Sequence, residues 1–399
     1  MNRELYKHLG DYIREVDVRN RNLSVTTLLG VSISKEFIPS IANTIGTDMS
    51  TYKIVRKGQF AYGPVTSRNG DKVSIALLAN EDTAIISQAY TIFEVKDTNE
   101  LLPEYLMMWF RRPEFDRYAR FHSHGSAREI FDWSEMCDVM LPIPSIERQR
   151  EIVAEYETLS KRIRLNEQMI STLEATAQTL YRKMFVDGID KENLPEGWRI
   201  GTLGEICDSN VGGDWGKDIK VGNYNSEVFC IKGADIPKIR NGMKSSLPTR
   251  FILSKNLENK KLKDGDIVIE ISGGSPTQST GRTTIITNYL LSFLSKEIIC
   301  SNFCRVISVK KCYNAFVYAT LQYLYNKGLF FKLENSSNGV KNLDLDSLLN
   351  EEDFLIPSNL VTTDFSNKYI PLINKISLKG HTIEKLTELQ SLLLAKMGK

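Results

Sequence analysis

Three segments carry residues that could do chemistry, and each is incomplete for the reaction it suggests. The run Gly212-Gly213-Asp214-Trp215-Gly216-Lys217 has the composition of a phosphate-cradling loop, in which backbone N–H groups hold phosphates, a lysine reaches them and a hydroxyl holds magnesium. Its spacing is one residue short, and Asp218 stands where the hydroxyl belongs. Cys300 and Cys304 lie in an apparent strand, where an i, i+4 pair shares a face, but a structural zinc site needs four ligands and no second pair or nearby histidine supplies them. His122 and His124 flank a serine, yet no Cys or Ser nucleophile motif accompanies them among the four histidines of the chain. There is no catalytic triad, no Gly-x-Gly nucleotide fingerprint and no Pro-Pro-Tyr type motif of an adenine methyltransferase. The expectation is a chain with no catalytic residues, no metal site and no cofactor of its own. The six cysteines read as reduced, mostly buried thiols, because six in 399 residues make no disulfide framework.

What remains is a set of loops rich in Ser, Thr, Asn, Gln, Gly and Arg, the side chains that meet phosphates and base edges. In the first half these are Tyr62 to Lys72, with Tyr62, Ser67, Arg68 and Asn69 as candidates, and the loop from His124 to Arg128, with His124, Ser126 and Arg128. In the second half Ser272 to Arg282 is the most polar uninterrupted loop, offering Ser275, Thr277, Gln278 and Arg282, joined by Asn338, Lys341 and Asn342. Solvated turns share this composition, so no single loop decides the matter. The signal is that corresponding loops occur twice.

The elements that must position these loops are also duplicated. One constant offset carries Ile143-Pro144-Ser145 onto Ile356-Pro357-Ser358 and, some forty residues later, Lys183-Met184 onto Lys396-Met397. Between these anchors apolar residues step by three and four: Tyr156, Leu159, Ile163, Ile170, Leu173, Ala177, Leu180 and Met184 in the first copy. The second copy reads Tyr369, Leu372, Ile376, Ile383, Leu386, Gln390, Leu393 and Met397, and even the polar break recurs as Asn166 and Lys379. This is a heptad seam on two long helices. Each buried large aliphatic side chain contributes roughly 1.5–3 kcal/mol, so both stripes need a partner. Packing of each helix on its own neighbouring domain is one solution. Antiparallel pairing with each other is the one favoured here, with Ile170 meeting Ile383 near the middle and Tyr156 meeting Met397 at one end.

The regions before the helices repeat more loosely. Leu9-Gly10-Asp11 corresponds to Leu203-Gly204-Glu205, and Lys57-Gly58-Gln59-Phe60 to Asp264-Gly265-Asp266-Ile267. A strand follows, Ser87 to Val95 or Ser301 to Val309, and then aromatic-rich helices, Tyr105 to Phe110 or Tyr313 to Tyr325. The expected organisation is α+β: a domain over 1–145, a long helix over 146–186, a second domain over 187–357 opening with a linker over 187–199, and a second long helix over 358–399. Two similar domains, each a mixed or antiparallel sheet with helices, would be separated by an antiparallel coiled coil with pseudo-twofold symmetry. A net charge of +2 neither supports nor excludes nucleic acid, since phosphate binding needs a local cationic surface. No apolar run approaches the roughly 20 residues that cross a bilayer, and the polar segment Met1 to Ile13 is unlike a signal peptide, which makes the cytoplasm the expected location.

In this order the features resemble the specificity subunits of type I restriction and modification systems. The resemblance is carried by Leu141-Pro142-Ile143-Pro144-Ser145-Ile146-Glu147-Arg148-Gln149-Arg150-Glu151-Ile152, similar to the family's proline-rich approach to its first conserved helix. Gly125-Ser126-Ala127-Arg128, Leu194-Pro195-Glu196-Gly197-Trp198 and Leu203-Gly204-Glu205 add to it, so that it covers nearly the whole chain. The second proline segment departs from the pattern, with Asn359-Leu360-Val361-Thr362-Thr363 in place of the Glu-x-Gln run, so the second helix is expected to start later or to bind partners differently.

The resemblance implies two target recognition domains that each read one half of an asymmetric, bipartite sequence in double-stranded DNA. The helices would set the gap and dock two modification subunits, which would bind the S-adenosylmethionine; restriction subunits could join them. A forty-residue helix is roughly 60 Å long, comparable to ~18 base pairs, which suits such a spacer. The alternative is a coiled-coil scaffold whose paired domains bind protein or carbohydrate, without salt-dependent DNA affinity.

Overall fold

The computed structural model describes residues 6–398 apart from 42–45, 68, 71, 126–127, 191, 245, 276 and 338–339. The chain forms two compact units, Met1–Lys161 together with Thr387–Lys399, and Arg162–Leu386.

In the first unit four short strands form an antiparallel sheet in the order Ile13–Val16, Thr91–Val95, Phe60–Tyr62, Ile75–Leu77. Side chains alternate across a strand, and both faces of this sheet are covered. Phe60, Tyr62, Ile75 and Phe93 join the larger core with Tyr105, Leu106 and Phe110 of the helix Pro103–Phe110. Ala61, Ala76 and Ile92 face a smaller cluster with Val55 and Ile86. Covering on both sides explains why Phe60–Tyr62 and Ile75–Leu77 read as apolar throughout rather than alternating, while Ile13–Val16 at the sheet edge keeps Arg14 and Glu15 exposed.

The second unit repeats the plan. Its sheet runs Cys207–Gly212, Cys304–Val309, Ile267–Glu270, Thr283–Ile285, the same order in the same chain sequence. Ile267, Ile269, Ile285 and Ile307 face one core and Val268, Ile286 and Val306 the other.

The repetition extends to single hydrogen bonds. Gln59 accepts from Arg56 N and donates to Glu94 at 2.8 Å. In the second unit Asp266 accepts from Lys263 N and from Ser308, also at 2.8 Å. Gly58 and Gly265, just ahead of these residues, have φ of 85° and 87°, a left-handed turn that only glycine adopts without strain. Lys96 Nζ donates to the carbonyls of Gly10 and Asp11, and Lys310 Nζ to that of Glu205. Asp132 caps the helix Trp133–Cys137 as Asp344 caps Leu345–Asn350.

A two-strand ribbon leads into each long helix: Tyr6–His8 with Met140–Pro142, and Arg199–Gly201 with Phe354–Ile356. The first helix is Ile146–Phe185 and the second Asn359–Lys396. Both begin at corresponding residues, which overturns the expectation that the second starts later. What differs is the anchor. Buried Gln149 accepts from Leu102 N and donates to the carbonyls of Glu100 and Pro144. Its counterpart Thr362, also buried, bonds only to the carbonyls of Ser358 and Asn359 at the start of its own helix.

Within each unit the two helices pair antiparallel. In the first unit Val153 and Tyr156 share a core with Leu394 and Met397, and Gln390 donates to Ser160 at 2.7 Å. In the second, Ile170, Ala177, Tyr181 and Phe185 share a core with Phe365, Tyr369, Ile373, Ile376 and Ile383. The Phe185 and Phe365 rings meet edge to face at 4.9 Å. Going forward from Ser160 to Phe185 is matched by an equal step back from Gln390 to Phe365, so one register serves both pairings. Leu159, Ile163, Leu173, Leu180, Leu372 and Leu393 are half-buried on the seam margin, while Leu386 is buried. Tyr369, Ala177, Ile376 and Leu386 are buried on the heptad positions, whereas Tyr181, Phe185, Ile373 and Leu394 are buried one residue beyond them, because a 3.6-residue turn drifts from a 3.5-residue repeat.

Candidate nucleic-acid interface

In the first unit the loop that leaves the strand Phe60–Tyr62 is stitched to the loop around His124. Phe131 N donates to Pro64 O at 2.9 Å and Thr66 N to Glu129 O at 3.0 Å, while His124 and Ile130 exchange backbone hydrogen bonds. The Thr66 hydroxyl adds a 3.0 Å bond to Ser123. Two candidate segments separated by more than fifty residues thus form one surface. Ser67, His124 and Arg128 are exposed on it. Asn69 is half-buried and spends its amide on Val65 O and Ser74 Oγ, so it shapes the loop. Glu135 faces both imidazoles, at 2.8 Å from His122 Nδ1 and 3.6 Å from His124 Nε2. Arg68 and Ser126 lie outside the described residues.

Tyr62 is a correction. Its side chain is fully buried, packed against the rings of Phe93 and Trp133, and burial pushes its phenol well above the ordinary range. It sits two residues from Phe60 on the same face of the strand, so it belongs to the core and not to the loop surface.

The second unit builds the equivalent surface from equivalent bonds. Leu343 N donates to Ile271 O at 2.9 Å, the counterpart of the Phe131–Pro64 bond. Ser272–Gly273 then pairs with Val340–Leu343, which pairs with Glu334–Ser337. Thr277 and Gln278 are exposed and Ser275 half-buried, and Gln278 Nε2 donates to the Tyr325 hydroxyl at 3.3 Å. Asn342 accepts from Ser272 at 2.5 Å. Asn338 lies outside the described residues.

Two acids outside the candidate residues, Glu334 and Glu270, organise this surface. Glu334 accepts from the backbone and hydroxyl of Thr280 and from Lys341 Nζ at 2.8 Å, tying the polar loop to the hairpin. Burial alone would raise its carboxyl, but the hydrogen bonds from Lys341 and Thr280 outweigh this and hold it below the ordinary value. Glu270 takes two hydrogen bonds from Arg282, Nε to Oε2 at 2.8 Å and Nη2 to Oε1 at 2.5 Å. Those bonds hold the Arg282 guanidinium above its ordinary value. Arg282 and Lys341 are therefore not free cations; each is already paired. Glu270 was legible as the one charge in the apolar run Ile267 to Ile271.

The segments considered for catalysis have structural explanations. In Gly212 to Lys217 the backbone N–H groups of Gly213, Asp214 and Lys217 donate to the carbonyls of Cys304, Cys300 and Phe251, so they form no phosphate cradle. Cys300 and Cys304 do not share a strand. Cys300 ends Ile298–Cys300 and Cys304 begins Cys304–Val309, in different sheets, with a turn around buried Ser301 between them. Both thiols are buried, and burial pushes Cys304 up to about 12. Cys230 is buried as well, whereas Cys137, Cys207 and Cys312 are half-buried. Among the described residues no cluster of three or more His, Cys, Asp or Glu is placed to hold a metal ion, and no helix is long and apolar enough to cross a membrane.

No family model matches the chain. The HindI type I restriction enzyme specificity subunit of Haemophilus influenzae is 27% identical over 137 residues, 34% of this chain and 29% of that protein's length, so this match takes in less than a third of the relative. The MjaIX type I restriction enzyme specificity subunit of Methanocaldococcus jannaschii is 22% identical over 317 residues, 74% of this chain and 68% of that one. The crystal structure of the type I restriction-modification S subunit from M. genitalium superposes with a TM-score of 0.59 over 99% of this chain and 96% of that one, at 15% identity. The chain is thus similar in sequence to type I restriction enzyme specificity subunits and shares the fold of one of them. At 15% identity the structural likeness carries the fold alone.

Proposed function

We propose that this chain is the non-catalytic DNA-reading subunit of a type I restriction and modification complex, each unit presenting its paired loops to one half of a split DNA target. The observation that carries the reading is the recurrence of one loop pairing, Pro64 with Phe131 and Ile271 with Leu343, under loops that differ in side chains. A shared scaffold with unlike contact residues suits two unlike half-sites. Ser, Thr, Gln, His and Arg side chains on those loops can reach phosphates and major-groove base edges, and affinity would fall as salt rises.

In this proposal the paired helices are the spacer and the docking surface for two modification subunits, with or without restriction subunits. Exposed Leu165, Met169, Leu389 and Leu392 on the long helices suit such docking. S-adenosylmethionine would bind the modification subunits rather than this chain, and the complex would work in the cytoplasm. The scaffold reading, with domains that bind protein or carbohydrate, has no observation in its favour beyond the helices themselves. Tagged full-length chain should co-purify with a methyltransferase, and host DNA should carry methylated adenines in one split motif. Absence of both would overturn the proposal.

A further inference from the structure

Glu270 ends one strand of the second unit's sheet and Arg282 stands just before its neighbour Thr283–Ile285, with Glu270 N donating to Arg282 O at 2.9 Å. The side chains are thus cross-strand neighbours, and the carboxylate grips the guanidinium side-on through Nε and one N–H of Nη2. The end of the fork, Nη1 and the outer N–H of Nη2, is not spent on Glu270. The acid is 2% exposed and the arginine 18%, so the carboxylate lies behind and the guanidinium in front. Both line a cleft of about 560 Å³ together with Trp215 and Phe303, the latter 56% exposed. Room for the acid is built in: a Cβ on Gly233 or on Gly273 would strike Glu270 Oε1.

The first unit makes the same backbone bond with uncharged residues, Gly63 N to Ser74 O at 2.8 Å. The ion pair therefore belongs to what distinguishes the two units and not to the fold they share.

Resting on the DNA-reading function proposed above, we propose that Arg282 reads a guanine in the second unit's half-site, with Glu270 as its positioning residue. Guanine offers N7 and O6, two acceptors on one major-groove edge, and the end of a fixed guanidinium presents two N–H groups to match. The carboxylate fixes the plane of the fork and neutralises its charge. A neutral base edge suits a neutralised arginine, whereas a phosphate would gain little from it. Lys232, which also lines the cleft, is likewise paired, 3.7 Å from Asp235.

The test uses the full-length chain in its assembly with modification subunits and reads the methylated motif across the host genome. Arg282→Lys keeps a charge opposite Glu270 but loses the fork. It should reduce the preference for guanine about ten-fold or more at a single position of one half-site, leaving the other half unchanged. Glu270→Gln should relax the same position less. If Arg282→Lys lowers the melting temperature enough to obscure the readout, the neutral pair Glu270→Gln with Arg282→Gln must show the same single-position loss. An unchanged motif, uniform weakening with no change of sequence preference, or relaxation at a pair other than G·C would each overturn the role of Arg282. A wild-type complex with no split motif would instead strike the DNA-reading proposal on which it rests.

Discussion

Gln390 on the second long helix donates from Nε2 to the hydroxyl of Ser160 on the first, at 2.7 Å. One repeat away, the matching positions hold Ala177 and Ile373, both buried in the second unit's core. The seam is therefore polar at one site and apolar at its twin. An amide facing a hydroxyl is satisfied, while the same amide facing Ile373 would be orphaned, so the pair favours one register over its shifted alternatives.

A double-mutant cycle with Ser160→Ala and Gln390→Leu should give a coupling of about 0.5–1.5 kcal/mol in urea unfolding of the full chain. Strictly additive losses would mean that the bond contributes nothing to the pairing.

The Glu270–Arg282 pair makes a stability prediction independent of DNA. Arg282→Ala leaves a buried carboxylate without its partner and should cost about 3–5 kcal/mol, whereas Glu270→Leu combined with Arg282→Met should be close to neutral. Equal losses in the single and double variants would show that packing, and not charge pairing, is what Arg282 supplies.

Glu334 should make the polar loop of the second unit acid-sensitive. Its folded carboxyl lies below the unfolded value, so its contribution is complete at neutral pH and fades as pH drops from the ordinary carboxylate range through the lower folded value. Glu334→Gln should be about 1–3 kcal/mol less stable than wild type at pH 7, with the gap closing as the solution is acidified. A gap that stays constant down to strongly acidic pH would contradict this account of Thr280 and Lys341.

Much of the architecture could be read from periodicity and repetition, which are linear properties of a chain. The long helices and the duplicated order belong to this class, and so does the agreement between Gly58 and Gly265. What a linear reading missed depends on neighbours distant in sequence. Tyr62 reads with the polar loop it precedes, but its two-residue spacing from Phe60 puts it on the core face of the strand. Arg282 closes a polar loop in sequence but answers to Glu270 across the sheet. Leu180 and Leu393 fit a heptad, yet Tyr181 and Leu394 are more deeply buried because real helices drift from that repeat. The pairing of Ser272 with Asn342 could not be inferred from composition, since only the folded sheet brings the two together.

The second helix is held to its own unit by close backbone contact. A Cβ on Gly380 would run into the carbonyl of Asn241, and one on Gly242 into the backbone of Ser377. Gly380→Ala should destabilise the chain by about 1–3 kcal/mol, measured by urea unfolding, because backbone and not a flexible side chain must give way. A neutral result would mean that this helix and loop are not packed as described.

The central claim is that each unit reads its own half of one DNA target, and the most direct measurement is motif mapping with loop variants made one unit at a time. Replacing Ser67, His124 and Arg128 together should alter one half of the methylated motif, and replacing Ser275, Thr277 and Gln278 together should alter only the other. Both sets changing the same half, or neither set changing the motif while methylation persists, would contradict the account.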